Sequence, residues 1–154
     1  MKKENKLNIL ALDIATTTGW AVSNSIYGTW KLKPPRDASI GMRLLTFNVK
    51  VREMIALAEI DLVVFERPGG RFAGAIIVQS ELQGILKEYC EEQKIPYRAY
   101  SSREIKLYAT GKGNCSKAAM IAAAKEKLGY TGDSDDEADA IWLLNLAESE
   151  YNKF

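Results

Sequence analysis

Histidine is absent from the 154 residues. Its absence removes Ser-His-Asp and Cys-His nucleophilic catalysis and every histidine-ligated metal centre. Cysteine is scarce: Cys90 and Cys115 are too few for a disulfide scaffold or a thiolate zinc site, and they suit a reduced, cytoplasmic setting. No apolar run approaches the roughly 18 residues that would span a membrane. The start, MKKENKLNILALDIA, is basic and then apolar. Asp13 interrupts that run and Trp20 stands where a small-residue cleavage site belongs, so a signal peptide is not expected. Net charge is also low, at +1. Any chemistry must rest on carboxylates, lysines, hydroxyls or bound ions.

What is present is an ordinary core and an uneven charge. Hydrophobic residues make up 47%, enough for one folded domain over residues 1–154. From Asp133 onward there are seven acids and one base, leaving 20 bases against 13 acids before it. Between Lys94 and Lys127 there are eight bases and two acids, Glu104 and Glu126. A basic zone followed by an acidic cluster suits a polyanion held against a metal site. A solvated surface of uneven charge would look the same by composition alone.

The stretch from Leu7 to Trp20, LNILALDIATTTGW, is an apolar run ending on the carboxylate of Asp13. It reads as a buried strand over 7–14. A carboxylate there needs a cation or hydrogen-bond donors, and a turn in which Asp13 accepts from the Thr16–Thr18 backbone would also satisfy it. Gly19–Ser23 and Ile26–Leu32 read as two more strands, joined near Asn24 and Ser25 as an antiparallel meander. Ile40, Leu44, Phe47, Val51, Ile55 and Ala58 recur at helical spacing over Ser39–Ala58. The β-branched run DLVVFE then ends on a second carboxylate, Glu66, before the break at Arg67-Pro68-Gly69-Gly70.

A second helix is expected over Arg71–Gln93. Gly74 and Gly84 inside it imply close helix approach, within the monomer or across a dimer. Ile95–Tyr100 reads as a fifth strand. Ser101 and Glu104 form a capping box for a short helix to about Ala109, Ser116 caps a helix through Leu128, and Ser134 and Glu137 form a second capping box for a helix to about Ser149. The order gives an α/β fold, a five-stranded mixed sheet flanked by helices.

Asp136 and Asp139 lie three apart and share a face of the last helix, near its positive end. If that helix packs at the carboxyl ends of the strands bearing Asp13 and Glu66, four carboxylates converge. Oxygen donors without histidine suit Mg²⁺, with Mn²⁺ as a substitute. Two such ions would suit attack of water on a phosphodiester. Simple acidic charging of a helix start is the plainer account of Asp133–Asp139, and Asp135, one turn from Asp139, competes with Asp136 as fourth ligand.

Asp13 in LALDIATTTGWAVS, Glu66 in DLVVFERP, and Asp136 and Asp139 in DEADAIWLL resemble, in order and spacing, the four acidic motifs of RuvC-type Holliday junction resolvases, of the ribonuclease H-like superfamily. The resemblance runs from about Leu7 to Ala147. It implies a ribonuclease H-like fold, those four acids as catalytic and metal-binding residues with two ions per site, and a homodimer, for which the second helix, about Arg71–Gln93, is the candidate interface. The segment REIKLYATGKGNCSKAAM resembles the family's lysine-bearing segment, implying DNA phosphate contacts or charge stabilisation by Lys106 and Lys117. The Gly111-Lys112-Gly113 loop adds Lys112 and backbone N–H groups as phosphate partners. Family members often carry an aromatic wedge soon after the catalytic Glu. Here Arg67, Pro68, Gly69 and Gly70 come first, then Arg71 and Phe72, and a core or dimer-contact role for Phe72 rivals insertion into DNA. Compact members of the family are often carried by bacteriophages, an origin that would suit this chain.

The expected function is a structure-selective endonuclease acting on four-way junctions and other branched DNA. A catalytically inactive branched-DNA-binding module and an RNA–DNA hybrid nuclease are the alternatives. DIATTTG is also similar to the phosphate-binding hairpin of the actin and sugar-kinase superfamily, but 154 residues supply only one of the two domains such enzymes need.

Overall fold

The computed structural model describes residues 6–23 and 26–152. The expected turn at Asn24 and Ser25 lies outside the described residues. The elements in chain order are β1 (Ile9–Asp13), β2 (Thr17–Val22), β3 (Ile26–Lys31), α1 (Gly41–Leu57), β4 (Leu62–Glu66), α2 (Ala73–Gln93), β5 (Tyr97–Tyr100), α3 (Ser102–Thr110), α4 (Lys117–Leu128) and α5 (Asp135–Tyr151). They build one five-stranded sheet in the order β3-β2-β1-β4-β5. β1, β2 and β3 pair antiparallel, while β4 pairs parallel to β1 and β5 parallel to β4. No described helix is long and apolar enough to cross a membrane.

Residue alternation decides the two faces. Ile9 and Ala11 of β1, with Leu62 and Val64 of β4, face a core shared with α3, α4 and α5. Leu10, Leu12, Val63 and Phe65 face the opposite core, with Phe47, Val51 and Ile55 of α1 and Leu82 and Leu86 of α2. Both faces are covered, which is why β1 and β4 are nearly continuous in apolar residues. Leu12 pairs with Phe65 across β1 and β4. The next residues are Asp13 and Glu66, and period-two alternation turns both toward the α5 side.

Several sequence expectations shift. β2 begins at Thr17, so Thr17 and Thr18 belong to the strand, and only Ala15 and Thr16 turn the chain. Ile40, expected on the buried stripe of α1, caps that helix and is 66% exposed. Gly74 and Gly84 have no neighbour within the monomer that a Cβ would meet, so close packing inside the monomer does not account for them. Ser134 caps α5 by accepting from the Glu137 N–H. The reciprocal half of that capping box is replaced, because the Glu137 carboxylate accepts from the Tyr130 hydroxyl and the Ser134 N–H donates to the same hydroxyl oxygen.

One contact ties the two ends of the described chain. The Asn152 side chain accepts from the Leu7 N–H at 2.9 Å and donates to the Leu7 carbonyl at 3.0 Å. It stands in for a strand neighbour just before β1.

Candidate functional site

Asp13 and Glu66 leave the carboxyl ends of two adjacent parallel strands, the usual mouth of an open α/β sheet. The first turn of α5 lies over them because of Gly19. Gly19 sits opposite Asp13 in the β1–β2 register. A Cβ on it would lie 1.9 Å from the main-chain oxygen of Asp136. Only the absence of a side chain lets the helix start approach so closely. Asp139, one turn on, thereby joins Asp13 and Glu66 around a cavity of about 360 Å³, which Lys106 and Lys117 also line.

Electrostatics record the convergence. Burial, then Asp139, Glu66, Asp136 and Asp135 in turn, push the Asp13 carboxyl well above its usual range. Burial and the Glu66, Asp135 and Asp136 charges push Asp139 up to about 7. Burial raises Glu66, against the Ser102 hydroxyl and the Lys106 ammonium, which pull it down. Burial and Asp135 raise Asp136, which Lys117 opposes. No hydrogen bond reaches the Asp13 carboxylate among the described residues; the turn after it is held by Thr18 instead, whose hydroxyl donates to the Ala15 carbonyl at 2.7 Å. The turn in which Asp13 would accept from the Thr16–Thr18 backbone is therefore not formed among the described residues.

Asp136 and Asp135 do not line the cavity, though their charges reach Asp13 and Asp139. Asp135 pairs with Lys117 at 3.2 Å. Among the described residues, no group of three or more His, Cys, Asp or Glu side chains is placed so that it could hold a metal ion as it stands. The donor chemistry nevertheless fits a hard divalent cation: Asp13, Glu66 and Asp139 are all carboxylates lining one cavity, and their burial and mutual repulsion outweigh the pull of Lys106 on Glu66 and Asp139.

The remaining candidates divide. Lys106 and Lys117 both line the cavity. Lys112 lines no part of this cavity. Two of the three backbone N–H groups expected to receive phosphate there are already used: Gly111 donates to the Leu107 carbonyl, and Lys112 to the Thr110 hydroxyl. Arg67 lines a second, smaller cavity on the other side of Asp13, Glu66 and Ser102. Arg71 is exposed, and Phe72 is 77% exposed, so a core role for Phe72 is excluded.

Sequence reasoning missed the residues that brace Glu66. Gln83 of α2 is buried and donates its amide to the Glu66 carbonyl at 2.9 Å. Gln79, one turn earlier, accepts from the Gly69 N–H at 2.9 Å. Together they fasten the loop after Glu66 onto α2. A polar residue within the buried stretch of α2, beside Leu82 and Leu86, was the available signal. Ser102 is visible in the sequence only as a helix start. Its place beside Glu66 follows from β5, whose Tyr100 pairs with Glu66 just before α3 begins.

Solved structures share this architecture. A Thermus thermophilus RuvC in complex with Holliday junction substrate aligns at a TM-score of 0.71 and 16% identity, over 89% of this chain and 90% of that chain. A second Thermus thermophilus RuvC structure aligns at 0.70 and 16%, over 94% and 98%. This is the RuvC fold. The yeast mitochondrial Holliday junction resolvase Ydc2 shares it more distantly, at a TM-score of 0.60 and 12% identity over 88% of this chain and 75% of that one. In sequence, the chain is similar to the crossover junction endodeoxyribonuclease RuvC of Anaeromyxobacter sp. strain K, 28% identical over 108 residues, 70% of this chain. It is 34% identical over 76 residues, 47% of this chain, to the protein of that name from strain Fw109-5. The matched segments span 58% and 37% of those two RuvC relatives' lengths. No family model matches the sequence.

Proposed function

We propose that this chain is a single RuvC-type nuclease domain over 1–154, a divalent-metal-dependent endodeoxyribonuclease that resolves four-way junctions and cuts other branched DNA in the cytoplasm. The observation that carries the reading is the convergence of Asp13, Glu66 and Asp139 on one cavity whose wall also holds Lys106 and Lys117. The absence of histidine disfavours acyl transfer, and the lysines beside the acids suit an anionic phosphodiester better than a neutral glycosidic substrate, a reading the fold supports.

Asp13, Glu66, Asp139 and either Asp136 or Asp135 would hold Mg²⁺ or Mn²⁺, two ions per site. Such ions, when bound, activate water and stabilise the leaving oxygen. The protein's own part is placement. Gly19 sets the approach of α5, Ser102 and Gln83 fix Glu66, and Lys106 offers a positive charge to the phosphate oxygens. Lys117, Lys112, Arg67 and Arg71 supply outlying positive charge for the DNA backbone. Phe72, exposed at the start of α2, suits contact with DNA or with a second protomer.

A homodimer with two sites would cut two strands of one junction, and α2 is the interface. Gly74, Ile77, Glu81 and Gly84 recur at three and four on one exposed face. Two glycines open to solvent and a 57% exposed Ile77 suit a second helix lying close.

The test is nicking of a synthetic four-way junction with Mg²⁺, beside duplex, flap and RNA–DNA hybrid. Asp13→Asn and Glu66→Gln should each slow junction cleavage by more than about a hundredfold, beyond the loss expected for a ligand's outer partner. Full activity in either variant overturns the reading, and preference for the hybrid redirects it.

A further inference from the structure

Away from the acids, the connection between β3 and α1 carries a second basic surface. A groove of about 590 Å³ is lined by Lys31, Lys33, Arg36 and Arg43, with Thr16 and Thr17 at one end. No acid lines it. None of the four bases takes part in an ion pair among the described residues. The Arg43 Nε is buried and has no hydrogen-bond partner. Four uncompensated cations around one groove attract a polyanion.

The frame beneath them is stiff. Leu32 is 2% exposed and points into the core, so the extended chain turns Lys31 and Lys33 outward together. The Leu32 N–H donates to the Thr16 carbonyl at 2.7 Å, which pins this segment to the turn after Asp13. Pro34 and Pro35 fix their backbone angles, and the Ala38 N–H donates to the Pro35 carbonyl at 2.9 Å, closing a turn that presents Arg36. Little ordering remains to be done when a ligand arrives. The lining has no aromatic ring on which a base could stack. Such a lining offers charge to backbone phosphates and no face to a base.

We propose that this groove seats the phosphate backbone of a duplex DNA arm that continues from the strand engaged at Asp13. The inference rests on the nuclease reading above and adds a contact surface on the β3 edge of the sheet. Contacts of this kind orient DNA without reading its sequence.

The test is the salt dependence of binding to a synthetic four-way junction, with cleavage blocked by Asp13→Asn. Lys31→Ala, Lys33→Ala and Arg36→Ala are combined, all three at exposed positions, and a melt alongside verifies folding. The triple variant should bind at least tenfold more weakly near physiological salt. Its slope of log K against log salt should fall by about 0.9 for each phosphate that the variant no longer neutralises, about two to three phosphates in all. On the cleaving background, KM should rise and kcat at saturating junction should stay. Lys31→Arg, Lys33→Arg and Arg36→Lys together should restore the slope. If the triple alanine variant does not fold, Lys33→Ala and Arg36→Ala singly are read the same way. An unchanged slope in a parent that cleaves junctions overturns the groove and leaves the nuclease reading standing. A parent that neither binds nor cleaves junctions overturns both.

Discussion

Asp139 carries its charge at a cost set by its neighbours. Its folded-state value of about 7 stands far above the ordinary carboxylate range. A group raised in this way contributes stability that is full below the unfolded value near 4 and is lost as pH rises through about 7. The metal-free chain should therefore melt progressively lower between pH 4 and about 7.5, with Asp13 adding to the trend. Asp139→Asn should raise the metal-free melting temperature at pH 8 by several degrees, at about 2–4 °C per kcal/mol for a chain of this size. A divalent ion that binds only the folded state should restore the parent at pH 8 and do little for the variant. Calorimetric melts across pH, with chelator and with Mn²⁺, check this; a parent indifferent to pH would contradict it.

Among the elements, α5 lies directly against β2 at Gly19, and that approach depends on one missing methyl group. A side chain at Gly19 meets main chain 1.9 Å away, not a flexible tip that can turn aside. Gly19→Ala should push the first turn of α5 off the sheet, with a stability loss of about 1–3 kcal/mol as in overpacked cores. Junction cleavage should fall far more than binding does, because Asp139 moves while the basic surfaces stay. Denaturant melts and single-turnover cleavage separate the two effects. The elements were largely legible in the sequence, since apolar alternation fixes strands and capping residues fix helix starts. Asp13 and Glu66 were legible as strand ends, and Asp136 and Asp139 as a helix face. Gly19 was not, since its neighbour lies 117 residues away along the chain. Gln83 was not, because a buried amide acquires meaning only from the carbonyl it meets. In the Lys112 loop, a Gly-rich composition could not show that the Gly111 and Lys112 N–H groups are already engaged.

At the scale of the whole molecule, the sheet separates two kinds of work. α3, α4 and α5 lie on the face that holds the acids, and α1 and α2 cover the other. The proposed dimer uses the outer side of α2, while Gln79 and Gln83 of the same helix hold the loop after Glu66. Ile77→Glu, at an exposed position, should leave the fold intact and halve the mass seen by light scattering. Paired cuts in one junction should then become single nicks. A variant that stays dimeric would move the interface elsewhere.

The clasp between Asn152 and Leu7 joins residues 145 positions apart. Its consequence belongs to biosynthesis. A growing chain that has reached β4 already carries Asp13 and Glu66, and one that has reached α4 carries its lysines. Neither holds Asp139, nor Asn152, which fastens the segment just before β1. The third acid of the cavity and the clasp thus belong to one helix and the residue after it, so the proposed site and its fastening are completed by the same element rather than piece by piece along the chain.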